Sequence, residues 1–419
     1  MHSHSFDIGV VGGGASGLMA AISAAGQGKG VAVFERLDRV GKKLLATGNG
    51  RCNLTCLNLC PERFHSGHPS GVQSVLRRFG LKETLAFFES IGLVWKSDPE
   101  GRVFPVTDQS STVLDLLRQE LLRFGVQEIC SAEVDRIQSR DDGFRVHFKN
   151  RQTGECRNLV LAAGGRAAPN LGSNGSGHLL AQSLGHRVVE PWPAVVQICL
   201  HAPFLNRLKG IRAAAAVSLA DENGILQTEE GEILFTEYGL SGIPALNLSR
   251  RVQPMRASGK TPHLVLDLFP HETEDRVRDV LLERIQKLYY KTVEESLIGF
   301  LHKRLAAVLL ASAGLDPKAK IRQFGAETAG RLARQLKHWM FRISGTKSWS
   351  EAQVTAGGVR LDEVDTDTLE SKVVPGLFLA GEILDVDGDC GGYNLQWAWS
   401  SGRVAGQHAS LSLGSRRSK

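Results

Sequence analysis

The sequence predicts an α/β fold in which a Rossmann-like nucleotide-binding domain, formed by both chain ends, is interrupted by a β-barrel-like segment and a helical segment. Three observations predict it. A strand, glycine turn, helix and second strand occupy the first 35 residues; strand-like and then helix-like periodicity fills 191–350; and an apolar strand ending in glycine and acid returns at 375–382. The expected divisions are 1–190 and 351–419 for the two parts of the nucleotide domain, 191–270 for a β-rich substrate domain, and 271–350 for a helical, basic domain. A chain of 419 residues exceeds what one hydrophobic core supports, so several subdomains are expected.

The first element is the strand Phe6 to Val11, which runs straight into Gly12-Gly13-Gly14-Ala15-Ser16-Gly17 and then a small-residue helix, Leu18 to Ala25. This is G-x-G-x-x-G between a strand and a helix, the setting in which it binds a dinucleotide. Gly12 permits the tight turn, Gly14 lets backbone approach a pyrophosphate, and Gly17 allows the helix to pack on the strand, its N-terminus and the turn residues Ala15 and Ser16 facing the phosphates. The second strand, Gly30 to Phe34, ends in Glu35, placed to accept hydrogen bonds from an unphosphorylated ribose. Arg36 and the basic turn Arg39 to Lys43, with Lys42 and Lys43, follow; this favours FAD over NAD as the resident cofactor. Gly172 to Gly177 has the wrong spacing for a second dinucleotide site, so any NADH or NADPH binds transiently.

Ser111 to Phe124 reads as an amphipathic helix with a Ser/Thr cap, and Ala132 to Leu161 as three short strands. The last strand ends in Ala162-Ala163-Gly164-Gly165, small enough for backbone to pass close to the dinucleotide. From Pro191 to Pro270 the pattern is strand-like with glycine and proline punctuation. From Glu272 to Ile343 it is helical, including Leu281 to Tyr290 and Leu301 to Ala311. The nucleotide fold resumes with Pro375 to Gly381-Glu382, followed by Asp385 and Asp387. The loop Gly388 to Asn394 then leads into a helix, Leu395 to Ala405, whose N-terminus is expected to face the flavin or its phosphates.

Charge is uneven. From 271 to 350 there are 15 Lys and Arg against 9 Asp and Glu, a net of +6 that equals the net charge of the whole chain. Within 301–347, Lys303, Arg304, Lys318, Lys320, Arg322, Arg331, Arg334, Lys337, Arg342 and Lys347 face only Asp316 and Glu327. Such a surface is a footprint for the phosphates of RNA or a solvated helical face. No run reaches the length needed to span a bilayer and Met1 to Asp7 is unlike a secretory signal, so a cytoplasmic location without membrane attachment is expected. Oligomeric state is not readable. Seven cysteines do not form a disulfide framework, and the C-x3-C-x3-C run of Cys52, Cys56 and Cys60 matches no zinc or iron–sulfur spacing, so free thiols and no metal are expected.

Three blocks together resemble the BaiN/YhiN-type family of FAD-dependent oxidoreductases, related in the cofactor domain to glutathione-reductase-like enzymes. They are Gly41 to Thr55, which contains Asn49, Arg51, Cys52 and Asn53; Phe235-Thr236-Glu237-Tyr238 to Pro244; and Gly381 to Gln396, which contains Gly392, Tyr393, Asn394 and Leu395. Gly357-Gly358-Val359 is a fourth, shorter match. The resemblance implies a three-part fold and NAD(P)H-driven reduction of an electron-poor C=C bond, with steroid-like enones and a uracil of large-subunit ribosomal RNA among associated substrates. An amine-oxidising relative is known too. This chain departs from the pattern at Gly172 to His178, which lacks an acidic residue and has His178 where an aromatic is common.

Reduction of a C=C bond conjugated to a carbonyl needs a hydride donor, a clamp on the carbonyl and a proton donor. Tyr238, His178 and Cys52 are candidate acids, and Arg51 or Asn53 candidates to polarise a carbonyl. The expected function is conversion of uridine to dihydrouridine in ribosomal RNA. The alternatives are a small-molecule enone reductase or amine oxidase, and a flavin-containing RNA-binding factor without turnover.

Overall fold

The computed structural model describes residues 4–415. These fall into two compact units, one of residues 4–194 and 349–415, the other Val195–Ser348.

The first unit is organised around the opening strand, His4–Val11, whose apolar half Ile8 to Val11 is buried and which is paired in parallel on both sides, with Val31–Phe34 and with Thr153–Leu161. Gln127–Ile129 extends the sheet beyond Val31–Phe34, and Gly143–Phe148 with Val134–Arg140 adds an antiparallel flank. The upper half of Thr153–Leu161 also takes a parallel partner from the far end of the chain, Leu377–Leu379, with Val160 opposite Phe378. Ile8, Val10, Val160 and Phe378 are fully buried, as a parallel strand covered on both faces requires.

Two helices close one face of this sheet, Ala15–Ala25 and the C-terminal Tyr393–Ser415. They approach through absent side chains. A methyl group at Gly402 would lie 2.3 Å from the Ser16 carbonyl oxygen, and one at Gly406 2.1 Å from that of Ala20. The C-terminal helix is tied to the sheet by buried Asn158, whose amide nitrogen donates to the Ala409 carbonyl and the Ser412 hydroxyl, both at 2.7 Å. The meander Val134–Leu161 follows the sequence expectation. The helix after residue 109 is Ser110–Arg123, but no side chain caps it; the Ser110 hydroxyl instead donates to the Leu45 carbonyl at 2.7 Å.

The second unit contains a closed six-stranded barrel, in the order Ile198–Leu200, Gly239–Ser241, Gly224–Phe235, Arg212–Asp221, His263–Asp267 and Trp339–Thr346. Two features depart from the sequence reading. Ile243–Ala257 is a 15-residue helix inside the stretch read as strand-like: Pro244 sits in its first turn, where a proline needs no donor, so the proline marks a helix start. Trp339–Thr346, read as the end of the helical segment, is the barrel strand that pairs with both Ile198–Leu200 and His263–Asp267. It alternates strictly, with Trp339, Phe341 and Ile343 buried and Met340, Arg342 and Ser344 exposed. The helices Glu274–Lys287, Val293–Leu297, Lys303–Ser312 and Ala326–Lys337 follow the helical periodicity, except that the first stops at Lys287 and Leu288 to Tyr290, expected as its end, form a turn.

Candidate functional site

The glycine turn is held by backbone on two sides and open on a third. Gly12 has φ +103°, and a methyl group there would sit 2.4 Å from the Ala162 carbonyl oxygen; one at Gly17 would sit 1.9 Å from that of Gly12. Neither can carry a side chain. At Gly14, by contrast, a methyl group meets nothing within 4 Å, so the missing side chain answers no protein neighbour and leaves an accessible cradle at the helix N-terminus. The first turn of that helix holds no acidic residue to oppose an anion.

Glu35 is the second half of the cradle. Its carboxylate is buried, and its two oxygens accept from the backbone N–H groups of Gly13 and Leu37, each at 2.8 Å. A carboxylate fixed so, at the end of the second strand, retains acceptor capacity for ribose hydroxyls and repels a 2′-phosphate. These groups fit the adenosine and pyrophosphate half of FAD. Arg36 reaches Glu133 at 3.8 Å, and Lys42 pairs with Asp38 at 2.6 Å, holding the Asp38 carboxyl below the ordinary carboxylate range through their hydrogen bond.

The chain ends meet beyond the turn. The Lys43 ammonium lies 2.7 Å from Glu382 Oε2, and Glu382 Oε1 accepts from the Thr355 N–H at 2.9 Å. Gly381, at φ +81°, packs on Ser16, where a methyl group would fall 2.3 Å from the serine hydroxyl oxygen. Its N–H donates to Ser401 Oγ at 2.9 Å and its carbonyl accepts from the Trp397 indole at 3.1 Å. The loop Gly388 to Asn394 is fixed likewise. Asn394 accepts from the Gly388 N–H and donates to its carbonyl, and Tyr393 donates to the Asn58 carbonyl at 3.1 Å, its hydroxyl pushed above the ordinary range by burial. Asn53, with its amide oriented to suit both neighbours, donates to the Thr55 carbonyl and accepts from the Gly392 N–H, each at 3.1 Å. Asp387 is buried, on a short strand paired with Phe64–His65. Leu395 packs half-buried on the core.

Thr355 was not singled out from the sequence. Fully buried, its hydroxyl oxygen accepts from the backbone N–H groups of Arg166 and Ala167 at 2.8 and 3.0 Å, fixing the segment after Ala163-Gly164-Gly165; a methyl group on Gly165 would overlap it at 2.3 Å. A lone threonine before Gly357-Gly358 carries no signal that would separate it from a core residue.

The candidate acids and clamps differ in placement. His178, on the helix Ser176–Ser183, is 5% exposed, and its Nε2 has no hydrogen-bond partner. Burial lowers its pKa, with nearby Glu382 opposing, so the ring is neutral at pH 7. Cys52 is fully buried in the core, and burial pushes its thiol up to about 12. Arg51 and Asn49 are exposed; the Arg51 guanidinium lies 4.5 Å from the Phe104 ring centre. Tyr238 belongs to the second unit, where the Lys347 ammonium sits 4.5 Å over its ring and its carbonyl accepts from the Leu200 N–H at 2.8 Å.

In the basic segment Lys303, Arg304, Lys318, Lys320, Arg322, Arg331, Arg334 and Arg342 are exposed. Lys337 is not: it is buried, 2.6 Å from Asp267, and donates to the Phe269 and Glu272 carbonyls. Trp339 and Phe341 are core residues, their rings 4.7 Å apart. All seven cysteines are free thiols, and no helix among the described residues is long and apolar enough to cross a membrane.

Comparison with known proteins agrees with this architecture. Residues 6–408 match the family model described as HI0933-like protein Rossmann domain. The chain is 39% identical over 404 residues to the 3-dehydro-bile acid delta(4,6)-reductase of Clostridium scindens, covering 96% of this chain and 98% of that protein. It is 30% identical over 398 residues to the ribosomal RNA dihydrouridine synthase of Haemophilus influenzae, covering 94% and 95%. Among solved structures, the 3-ketosteroid-delta4-(5alpha)-dehydrogenase of Rhodococcus jostii RHA1 superposes with a TM-score of 0.51 at 16% identity, 98% of each chain being covered; this likeness shows the fold. A glycine cradle and acid-tipped second strand from one chain end, closed by Gly381 to Leu395 from the other, over the length of the family model, mark this chain as a member of the HI0933-like Rossmann family.

Proposed function

We propose that the protein is an FAD-dependent reductase of a C=C bond conjugated to a carbonyl, and that its substrate is a uridine of large-subunit ribosomal RNA. The observation that carries this reading is near-full-length similarity to a bile-acid reductase and to a ribosomal RNA dihydrouridine synthase together. A 3-oxo-4-ene and the 5,6-bond of uracil share one chemistry: hydride to the carbon β to a carbonyl and a proton to the α carbon.

In this reading Gly12, Gly14, Ala15, Ser16 and Gly17 receive the pyrophosphate, Glu35 the ribose, and Lys43 and Glu382 lock the two chain ends around the cofactor, with Arg36, Lys42, Asn49, Ala163, Gly164, Gly165, Gly381, Asp387, Gly392, Tyr393, Asn394 and Leu395 forming the remaining wall. Bound FAD, reduced by NADH or NADPH, supplies the hydride. Tyr238 and His178 are the two alternative candidates for the proton donor; the buried Nε2 of His178 is unclaimed within the protein, and its ring, neutral at pH 7, must take up a proton before it can give one. Cys52 is too deeply buried to serve, and Arg51 and Asn53 act on the wall or the substrate carbonyl. An RNA substrate places the protein's work in the cytoplasm.

The second reading, a small-molecule enone reductase, is favoured by the higher identity to the bile-acid enzyme. The test loads the protein with FAD, adds NADH or NADPH, and offers unmodified ribosomal RNA and a 3-oxo-4-ene steroid in parallel. Mass spectrometry then looks for two added hydrogens. Gain on uridine supports the leading reading; gain on the steroid alone replaces it with the second; peroxide release on an amine marks an oxidase.

A further inference from the structure

The chain has four tyrosines, and two of them stand side by side in solvent. Tyr289 and Tyr290 follow the helix Glu274–Lys287 in a tight turn, are 59% and 61% exposed, and meet edge to face with ring centres 5.8 Å apart. Two large aromatic rings held together in water offer π faces on which a flat partner group can stack.

Cations frame the pair. The Lys291 ammonium lies 5.8 Å over the Tyr290 ring, and the Lys320 ammonium donates to the Tyr290 carbonyl at 3.3 Å. Lys320 belongs to a segment bridged to the turn, Thr292 opposite Lys320 and the Ile321 N–H donating to the Lys291 carbonyl, and this brings Lys318 and Arg322 alongside. Among the described residues no ion pair engages Lys291, Lys318, Lys320 or Arg322. Of the acids nearby, Glu283 pairs with Lys287 at 3.2 Å, Asp316 accepts from the Lys318 N–H and Glu294 is half-buried; exposed Glu295 caps Thr292, and those hydrogen bonds, helped by the charges of Lys320 and Lys291, hold its carboxyl below the ordinary range without forming an ion pair.

We infer that this turn is a docking platform for single-stranded RNA, the tyrosine rings stacking on unpaired bases and Lys291, Lys318, Lys320 and Arg322 contacting the flanking phosphates. Rings with a sequence-neutral π face set among unpaired cations are the chemistry that holds a single strand, whereas a duplex buries its base faces. The inference rests on the ribosomal RNA reading above and adds to it where and in what form the RNA is held.

The test measures anisotropy of a labelled single-stranded uridine-rich RNA and its duplex on the FAD-loaded protein. The wild type is expected to prefer the single strand. Each of Tyr289→Ala and Tyr290→Ala should weaken that binding by about tenfold, and Phe in their place should preserve it. Lys291→Ala and Lys320→Ala should each lower the slope of log affinity against log salt by about one. Unchanged binding in the double alanine variant, equal binding of duplex, or rings that matter only for anionic vesicles would overturn the inference. Dihydrouridine formation by the wild type is scored separately: its absence refutes the catalytic reading while the binding series still decides the platform.

Discussion

Gly14 and Gly17 separate ligand binding from folding. Gly14 has φ −82° and ψ −174°, a backbone open to any residue, and its missing methyl group meets nothing within 4 Å. Gly14→Ala should therefore leave the cofactor-free protein within about 1 kcal/mol of the wild type, the stiffer unfolded chain contributing about 0.4–1 kcal/mol and the poorer N-cap costing a similar amount. The added methyl group occupies the cradle, and an affinity loss of about a hundredfold corresponds to roughly 2.7 kcal/mol. At an FAD concentration about 100 times the wild-type Kd, the wild type gains about 2.7 kcal/mol and the variant about 0.4 kcal/mol. At about 2.1 cal/mol/K of unfolding entropy per residue, the 419-residue chain moves by about 1 °C per kcal/mol, so the FAD-induced rise in Tm should shrink by roughly 2–3 °C. Gly17→Ala, which drives a methyl group to 1.9 Å from the Gly12 carbonyl oxygen, should instead destabilise the cofactor-free protein by about 4 kcal/mol or more. Thermal melts with and without FAD, with flavin fluorescence titration, check both. Wild-type FAD affinity in Gly14→Ala, or a cofactor-free Tm lowered as far as in Gly17→Ala, would refute the reasoning.

Other expectations follow from the same geometry. Lys43→Met should cost about 1 kcal/mol, and a double-mutant cycle with Glu382→Gln should return a coupling of about that size; additivity would show the pair to be idle. Because burial lowers the His178 pKa, the unfolded chain binds more protons near pH 6, so stability from the neutral ring is present above about pH 6.5 and falls as the pH drops below it. His178→Leu should flatten, without abolishing, the loss of urea midpoint between about pH 7 and 5, since His147, His186 and His408 are lowered too. Cys52 and Cys156, both buried with thiols pushed up to about 12, should resist alkylation in the native protein at about pH 8, while half-buried Cys60, its thiol raised by the hydrogen bond to Glu62, should react slowly but ahead of both; mass mapping of labelled peptides decides.

The nucleotide cradle was legible because each of its parts is local: a buried strand, glycines at fixed spacing and an acid at the next strand end lie within one βαβ unit. The return of Leu377–Leu379 was legible too, as an apolar run ending in glycine and acid. Ile243–Ala257 was hidden because Pro244 and Pro254 read as strand punctuation although one starts the helix and the other sits in its last turns. Trp339–Thr346 was hidden because its alternation directly follows the helix Ala326–Lys337. The Lys43–Glu382 pair, the Thr355 hydroxyl and the orphaned Nε2 of His178 depend on side chains brought together from distant segments, which no local pattern encodes. Lys337 shows the reverse error: counted as surface charge, it is spent on Asp267 in the interior.

The pairing of Thr153–Leu161 with Leu377–Leu379 has a temporal meaning as well. Synthesis at about 5–20 residues per second leaves roughly 10–40 s between the emergence of these two strands. During that interval the edge of Leu159–Leu161 waits without its neighbour, and the surface of the Ala15–Ala25 helix that receives Gly402 and Gly406 stands bare. The nascent chain therefore carries an unsealed apolar seam until its final segment arrives, and a chaperone holding that seam would act before, and not after, the nucleotide cradle is complete.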